Sequence, residues 1–227
     1  MALDLSSRTR AGRAIPGAEV PAPPEPAGRE RELLLARFNR AVRRPEDHGG
    51  LPAVARLLDR IAAGDPQTAG SVWLPDTNAR LAPSAMFRAA FPDTDVHVTA
   101  SQYGEDAHRR GWLRLDRTLT PTEHSALVDG AVAWSQTDRS LTEILAEYGP
   151  PSITFGPEEP HHPKTLSYAT DDRTAPVVAF HVGTAQTGPR PERDDRASAV
   201  AALLAVRVRD DFFGGWELTP LGLEHFH

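Results

Sequence analysis

The chain has 227 residues, with 25 Lys and Arg against 31 Asp and Glu, and a formal net charge of −6 at pH 7. Binding along a phosphate backbone needs clustered Lys and Arg, and the only basic doublets are Arg43-Arg44 and Arg109-Arg110. We therefore predict no nucleic-acid partner. The sequence contains no Cys, which excludes disulfides, Cys-ligated metals and a thiolate nucleophile.

No segment is apolar enough to suggest a membrane span. The longest apolar run, Ala199 to Val206, has eight residues, whereas a spanning helix needs about 20. The basic residues near the start are followed by prolines and not by the apolar core of a signal peptide. We expect a cytoplasmic protein without a membrane partner.

Residues 1–28 are predicted to be a disordered, proline-rich tail, because five prolines lie between Ile15 and Gly28 and each fixes φ and removes a hydrogen-bond donor. The remaining residues, 29–227, are predicted to form one domain, with a soft boundary near residues 136–150.

Two amphipathic helices are predicted to open this domain. Leu34, Phe38 and Val42 recur at helical spacing, and Pro45 followed by glycines ends that pattern. A second stripe runs from Leu51 to Ile61. Two short helices with a short connection predict a helical hairpin that covers another layer of the structure.

The next segment is predicted to contain both strands and a helix. Val72–Leu74 and Val96–Ala100 are predicted strands, the second because apolar and polar residues alternate along it. Trp112–Arg117 is its predicted antiparallel neighbour, and Pro83–Phe91 is a predicted helix. We also expect Tyr103, Trp112 and Trp134 to share one aromatic core cluster.

Two capping boxes predict helix starts. Thr120-Pro121-Thr122-Glu123 combines a hydroxyl cap, a carboxylate three residues later and proline at the first helical position. Ser140-Leu141-Thr142-Glu143 repeats the hydroxyl and carboxylate, and Gly149-Pro150 ends the helix that follows.

The last third has the pattern of a β-meander. Five strand-like segments follow one another: Ser152–Phe155, Thr165–Ala169, Pro176–Val182, Val200–Arg209 and Trp216–Thr219. A turn centred on Asp171–Thr174 predicts that Lys164 pairs with His181, Leu166 with Ala179, and Tyr168 with Val177. The predicted fold class is α+β: a helical hairpin and short helices on a mainly antiparallel sheet that ends in the meander.

The histidines near this hairpin form the one candidate metal site. His161 and His162 precede the second strand, and the predicted register brings His181 to the same end. Neutral imidazoles could bind a divalent metal such as zinc, or one could act as a general base. Adjacent residues of an extended chain point to opposite sides, so a surface loop beside a strand-end histidine is the simpler alternative.

A possible pocket rim lies at Asp76 and Asn78, after the first predicted strand, together with Lys164. Strand ends often carry binding residues, but helix and turn caps use the same residue types. The paired aspartates at 171–172, 194–195 and 210–211 are interpreted as solvated turns. No P-loop, GxGxxG, GxSxG or HExxH motif occurs.

Three segments carry a resemblance: Tyr148-Gly-Pro-Pro-Ser-Ile-Thr-Phe-Gly, Pro163-Lys-Thr-Leu-Ser-Tyr-Ala-Thr and Val177-Val-Ala-Phe-His. Residues 140–220 resemble an uncharacterised actinobacterial protein family of unknown function. The resemblance implies a bacterial, cytoplasmic protein and brings no catalytic residues with it.

Two functions remain open. The favoured one is a non-enzymatic interaction or regulatory protein, for example an immunity-like protein, that needs no cofactor and binds a basic protein partner drawn by its negative charge. The alternative is a metal-assisted hydrolase or small-molecule binder centred on His181 with His161 or His162.

Overall fold

The computed structural model describes residues 26–65, 95–184, 201–208 and 216–224. This part of the chain contains six α-helices: α1 Pro26–Ala41, α2 Gly50–Ala63, α3 Asp95–Arg109, α4 Pro121–Trp134, α5 Leu141–Tyr148 and α6 Pro220–Glu224. A short 3₁₀ helix, Pro45–His48, joins α1 to α2. Five strands form one sheet: β1 Ile153–Phe155, β2 Lys164–Tyr168, β3 Val178–Thr184, β4 Ala201–Arg207 and β5 Trp216–Leu218. The predicted α+β class is confirmed.

The sheet is an antiparallel meander, as predicted. Its strand order is β1-β2-β3-β4-β5, and every neighbouring pair is antiparallel. Its two faces differ in chemistry. On one face, called here the α4 face, Leu166, Tyr168, Phe180 and Val206 pack with α4 and α5 in one apolar core.

On the opposite face, called here the α3 face, apolar residues of β1 pack with the first three helices. Ile153 and Phe155 belong to one core with Phe38 of α1, Leu58 of α2 and Ala107 of α3. The predicted hairpin of α1 and α2 is therefore confirmed as a layer over this side. Helix α1 begins at Pro26, three residues before the predicted start of order at residue 29.

The predicted register of β2 and β3 is wrong by one residue. Lys164 pairs with Val182, Thr165 with His181, Leu166 with Phe180 and Tyr168 with Val178. The predicted pairing left residues 169–176 between the strands, whereas the observed loop, residues 169–177, is one residue longer. Asp172 caps it, since its Oδ1 accepts hydrogen bonds from the backbone N–H and the hydroxyl of Thr174. The observed register puts the large apolar side chains of both strands on the α4 face.

The predicted strands Val96–Ala100 and Trp112–Arg117 are wrong. Residues 96–100 belong to helix α3, and residues 112–117 form no strand. The expected aromatic cluster also divides, because Trp112 and Tyr103 join the core of α1 and α2 whereas Trp134 lies in the core of the α4 face. The predicted strand Val72–Leu74 and helix Pro83–Phe91 lie outside the described residues, as do residues 1–25 of the tail.

Both capping boxes are confirmed. The Thr120 hydroxyl accepts a hydrogen bond from the backbone N–H of Glu123 (3.2 Å), and the Glu123 carboxylate accepts one from the backbone N–H of Thr120 (2.7 Å). Ser140 and Glu143 form the same reciprocal pair at the start of α5. These caps fix where α4 and α5 begin, and so position the candidate site between them.

Glycine at position 104 allows α3 to approach the sheet closely. A Cβ atom at Gly104 would lie 2.7 Å from Cε1 of Phe155 and overlap the ring further at Cζ. By contrast, a Cβ at Gly130 in α4 meets no atom within 4 Å. Both glycines lie inside helices, so alanine brings the same gain in helix propensity at either position.

We therefore expect Gly104→Ala to be less stable than Gly130→Ala by about 1–3 kcal/mol, the usual cost of overpacking a core. Urea unfolding of the two variants measures the difference. Equal stabilities would show that the Phe155 ring, which is buried, can move away freely.

Candidate functional site

An open cavity of about 440 Å³ lies between α4, α5 and the sheet. One face of α4 supplies half of its lining through Glu123, Ala126, Leu127, Gly130 and Trp134. These residues recur three or four positions apart, which places them on one side of a helix. The volume lies within the range of about 300–1,000 Å³ that is common for ligand pockets.

The remaining lining comes from three other segments. Arg117 and Leu119 precede α4, Glu147 and Tyr148 form the end of α5, and Tyr168 lies in β2. The cavity therefore has apolar and aromatic walls with three charged groups among them. This is the composition expected of a recognition site, in which a few polar groups orient a ligand on an apolar surface.

The aromatic wall is held in place by ring contacts. Trp134 and Tyr148 meet edge to face, with ring centroids 5.2 Å apart and planes at 72°. Phe180, which does not line the cavity, stacks on Tyr148 at 5.2 Å. The Tyr168 hydroxyl donates to the carbonyl oxygen of Gly149 at 2.9 Å. These contacts, together with the buried Phe180 ring, hold the wall in place.

Arg117 ties the two helix ends together at the cavity. Its Nη1 donates to the carbonyl oxygens of Tyr148 and Pro150, at 3.1 and 2.8 Å, and its Nη2 donates to Oε1 of Glu123 at 2.7 Å. Gly149 has φ +70, and a Cβ there would lie 3.0 Å from Nη1 of Arg117. A glycine at this helix end therefore suits both the left-handed backbone and the close guanidinium.

The cavity carries one more negative than positive charge. The hydrogen bonds from Thr120, with a further contribution from Arg117, lower the pKa of Glu123, which is therefore a carboxylate at neutral pH. Burial, followed by the nearby Glu147 carboxylate, raises the pKa of Tyr148 to about 12, so the phenol stays neutral. Glu147 is exposed and, within the described part of the chain, forms no ion pair.

The sequence did not single out this cavity. Trp134 was expected in the core, and Arg117, Gly130, Glu147 and Tyr148 had no assigned role. The available signal was the stripe of residues 123, 127, 130 and 134 with a glycine inside a well-capped helix.

The predicted histidine group is divided between the surface and the interior. His161 and His162 are exposed in the loop before β2, with ring centroids 6.3 Å apart. His181 is buried on the α3 face, where its Nδ1 shares a hydrogen bond of 2.8 Å with Oγ1 of Thr165. Among the described residues, no group of three or more His, Asp or Glu side chains could hold a metal ion.

Of the predicted pocket rim, the structure describes Lys164 alone. Lys164 is buried at the start of β2, where its Nζ donates to the carbonyl oxygen of Glu159 at 2.6 Å. It does not line the cavity between α4 and α5. Asp76 and Asn78 lie outside the described residues.

A buried polar layer separates α3 from the sheet. Arg207 of β4 and Glu105 of α3 form an ion pair in which each side chain is 5% exposed. Arg109 also donates to Glu105, at 2.7 Å. The guanidinium of Arg207 lies 5.5 Å from the Trp216 ring centroid, and the His181 ring lies 4.2 Å from the same ring.

This layer has no room for a substrate among the described residues. The cavity beside it, which Glu105, His108 and Ser167 help to line, has a volume of about 10 Å³, enough for about one water molecule. Among the described residues, the polar layer is therefore a closed part of the interior and not an open binding site.

Two histidines of this layer should make the fold sensitive to mild acid. Burial, followed by the charge of Arg207, lowers the pKa of His181 well below its usual range. Burial, followed by the charge of Arg173, lowers the pKa of His108. Below a pH of roughly 6.5 the unfolded chain therefore binds more protons than the native one, and stability falls as the pH falls.

We expect each of these histidines to reduce the free energy of unfolding by up to about 1.4 kcal/mol per pH unit between pH 6.5 and 5. Urea unfolding at several pH values measures the slope, which His181→Gln and His108→Gln should each reduce. The exposed His161 provides the control, since His161→Gln should leave the slope unchanged. A slope that neither buried substitution alters would contradict the assignment.

None of the described helices is long and apolar enough to cross a membrane. Comparison of the chain with models of protein families, with curated proteins and with solved structures finds no match.

Proposed function

We propose that this chain is a binding protein that takes up part of a basic partner protein in the cavity between α4 and α5. The observation that carries the proposal is Gly130. A glycine inside a helix costs about 1 kcal/mol relative to alanine, and nothing near Gly130 requires its small size, since a Cβ there meets no atom within 4 Å. The absence of a long side chain at this position leaves the cavity open.

The walls of the cavity support recognition rather than simple incomplete packing. Trp134 and Tyr148 are partly exposed although they belong to an apolar core. Aromatic side chains that combine apolar surface with polar edges are enriched at protein interfaces. Gly130, Trp134 and Tyr148 together give a partner both space and contact surface.

The charge of the chain supports a basic partner. The formal net charge is −6, and the cavity itself has two carboxylates against one guanidinium. A negative field increases the rate at which basic proteins associate, and the increase falls as salt screens it. The alternative centred on His181 draws no support from the geometry, because that ring is buried and the two loop histidines are exposed.

Two substitutions at Gly130 test the proposal. Gly130→Leu should fill part of the cavity, whereas Gly130→Ala leaves most of it open and should stabilise α4 by about 1 kcal/mol. Wild-type protein and both variants would be immobilised and exposed to extract of the source cells, and retained proteins identified by mass spectrometry. Each candidate would then be purified and titrated by calorimetry.

We expect one of the retained basic proteins to bind the wild type and Gly130→Ala with similar affinity, and to bind Gly130→Leu at least tenfold more weakly. Its affinity should fall between 50 and 300 mM salt. A purified partner that binds all three proteins equally would exclude the cavity as the binding site.

A further inference from the structure

We infer that the group recognised in the cavity is an arginine side chain of the partner, an inference that rests on the proposed function. Three features of the cavity carry it: aromatic walls that meet at a steep angle, a carboxylate without an ion pair in the described structure, and an internal guanidinium that is already paired with a carboxylate.

The aromatic walls suit a flat cation. Trp134 and Tyr148 are partly exposed in the cavity lining, and their ring planes meet at 72°. A cation over such a ring is attracted by its quadrupole, most strongly over Trp. A planar guanidinium also stacks on aromatic rings, which a lysine ammonium cannot do.

The charges of the cavity favour a cation over an anion. Arg117 is the one cation among the described residues that line the cavity, and its guanidinium donates to two carbonyl oxygens and to Glu123. Its charge is therefore balanced within the protein. Glu147, next to Tyr148 in the chain, also lines the cavity and has no ion pair among the described residues, so a bound guanidinium could pair with it.

The protein already contains one such contact nearby. The Arg139 guanidinium lies 4.6 Å from the centroid of the Trp134 ring, and its charge is countered by Glu143 at 3.6 Å. Arg139 does not line the cavity. Trp134 thus already accepts a guanidinium from within the chain, and it is also a partly exposed residue of the cavity lining.

Short peptides provide the direct test. The probes are three blocked pentapeptides in which a central arginine, citrulline or lysine is flanked by two glycines on each side. Citrulline keeps the planar shape of arginine without its charge. Binding to the full chain would be followed at low salt by the indole N–H resonance of Trp134, which Trp134→Phe assigns.

We expect the arginine peptide to move the Trp134 resonance with a millimolar Kd. The citrulline peptide should bind about tenfold more weakly, and the lysine peptide at least threefold more weakly. Glu147→Gln should weaken the arginine peptide about tenfold and leave the citrulline peptide unchanged. Glu158→Gln, which removes an exposed carboxylate elsewhere, should have no effect.

The outcomes separate this inference from the proposed function. If the citrulline peptide binds as well as the arginine peptide and Gly130→Leu abolishes both, the cavity is a binding site but not for arginine. If no peptide moves Trp134 while a purified partner does, the arginine inference is again wrong and the proposed function stands. If neither peptides nor partner move it, both fail.

Discussion

Glu105→Gln is expected to lower the free energy of unfolding by about 3–5 kcal/mol, because it leaves the buried Arg207 guanidinium without its counter-charge. Both side chains are 5% exposed. Arg109, the second partner of Glu105, is more exposed and can be solvated instead. The loss therefore comes from Arg207, which the sheet and α3 shield from water.

Urea unfolding at pH 7 measures this loss. Glu30→Gln is the matched control, since it also removes a helical carboxylate paired with an arginine, but its side chain is 67% exposed, and such pairs contribute about 0–1 kcal/mol. Replacing both partners, as Glu105→Leu with Arg207→Met, should recover much of the stability. If Glu105→Gln lowers the free energy of unfolding no more than Glu30→Gln does, water reaches the Glu105–Arg207 pair.

Phe180→Ala is expected to cost about 3–5 kcal/mol of unfolding free energy, as other large-to-small substitutions in cores do. Phe180 is fully buried at the centre of the sheet. Its ring contacts Trp134, Tyr148 and Tyr168, with centroid distances of 6.2, 5.2 and 5.6 Å. Its loss leaves a void directly behind the aromatic wall of the cavity.

The same substitution should also weaken partner binding, because Tyr148 loses the ring on which it stacks. Denaturant unfolding and calorimetry measure the two effects separately. Leu33→Ala is the control, since Leu33 is 60% exposed on α1 and should change stability by no more than about 0.5 kcal/mol. A loss below about 1.5 kcal/mol for Phe180→Ala would mean that the surrounding rings close the void.

The sequence-based prediction succeeded where local signals decide the structure. The capping boxes at Thr120 and Ser140 satisfy backbone groups within one turn, so they identify helix starts without reference to the rest of the fold. The five strands of the meander were predicted for a similar reason, since short β-branched and apolar segments separated by turns need only neighbouring partners.

Helix α3 was missed because it buries polar residues. Its inward side carries Ser101, Glu105 and His108, which pack against the polar layer of the sheet. Polar residues in a sequence are usually interpreted as solvent-facing. A helix that buries them therefore lacks the apolar periodicity by which a helix is recognised. The alternation from Val96 to Ala100 then resembled a strand. The polar residues of α3 are explained by the polar residues that face them, among them Arg207 and Ser167. These come from strands that are distant in the sequence, so the segment alone could not reveal the helix.

The candidate site could not be predicted for a comparable reason. Its lining comes from α4, α5, β2 and the segment before α4, and no local pattern in the sequence indicates that these segments meet around one cavity. The histidines were more conspicuous, yet the register of β2 and β3 placed His181 beside Thr165 in the interior. A change of one residue in register moves every side chain of a strand to the other face.

The measurement that most directly tests the binding account is a ¹H–¹⁵N spectrum of the four tryptophan indole groups, recorded during titration with the purified partner. We expect the Trp134 resonance to move in the wild type and in Gly130→Ala, and to stay unchanged in Gly130→Leu. A partner that binds tightly while Trp134 stays unmoved in the wild type would contradict it and place recognition on another surface.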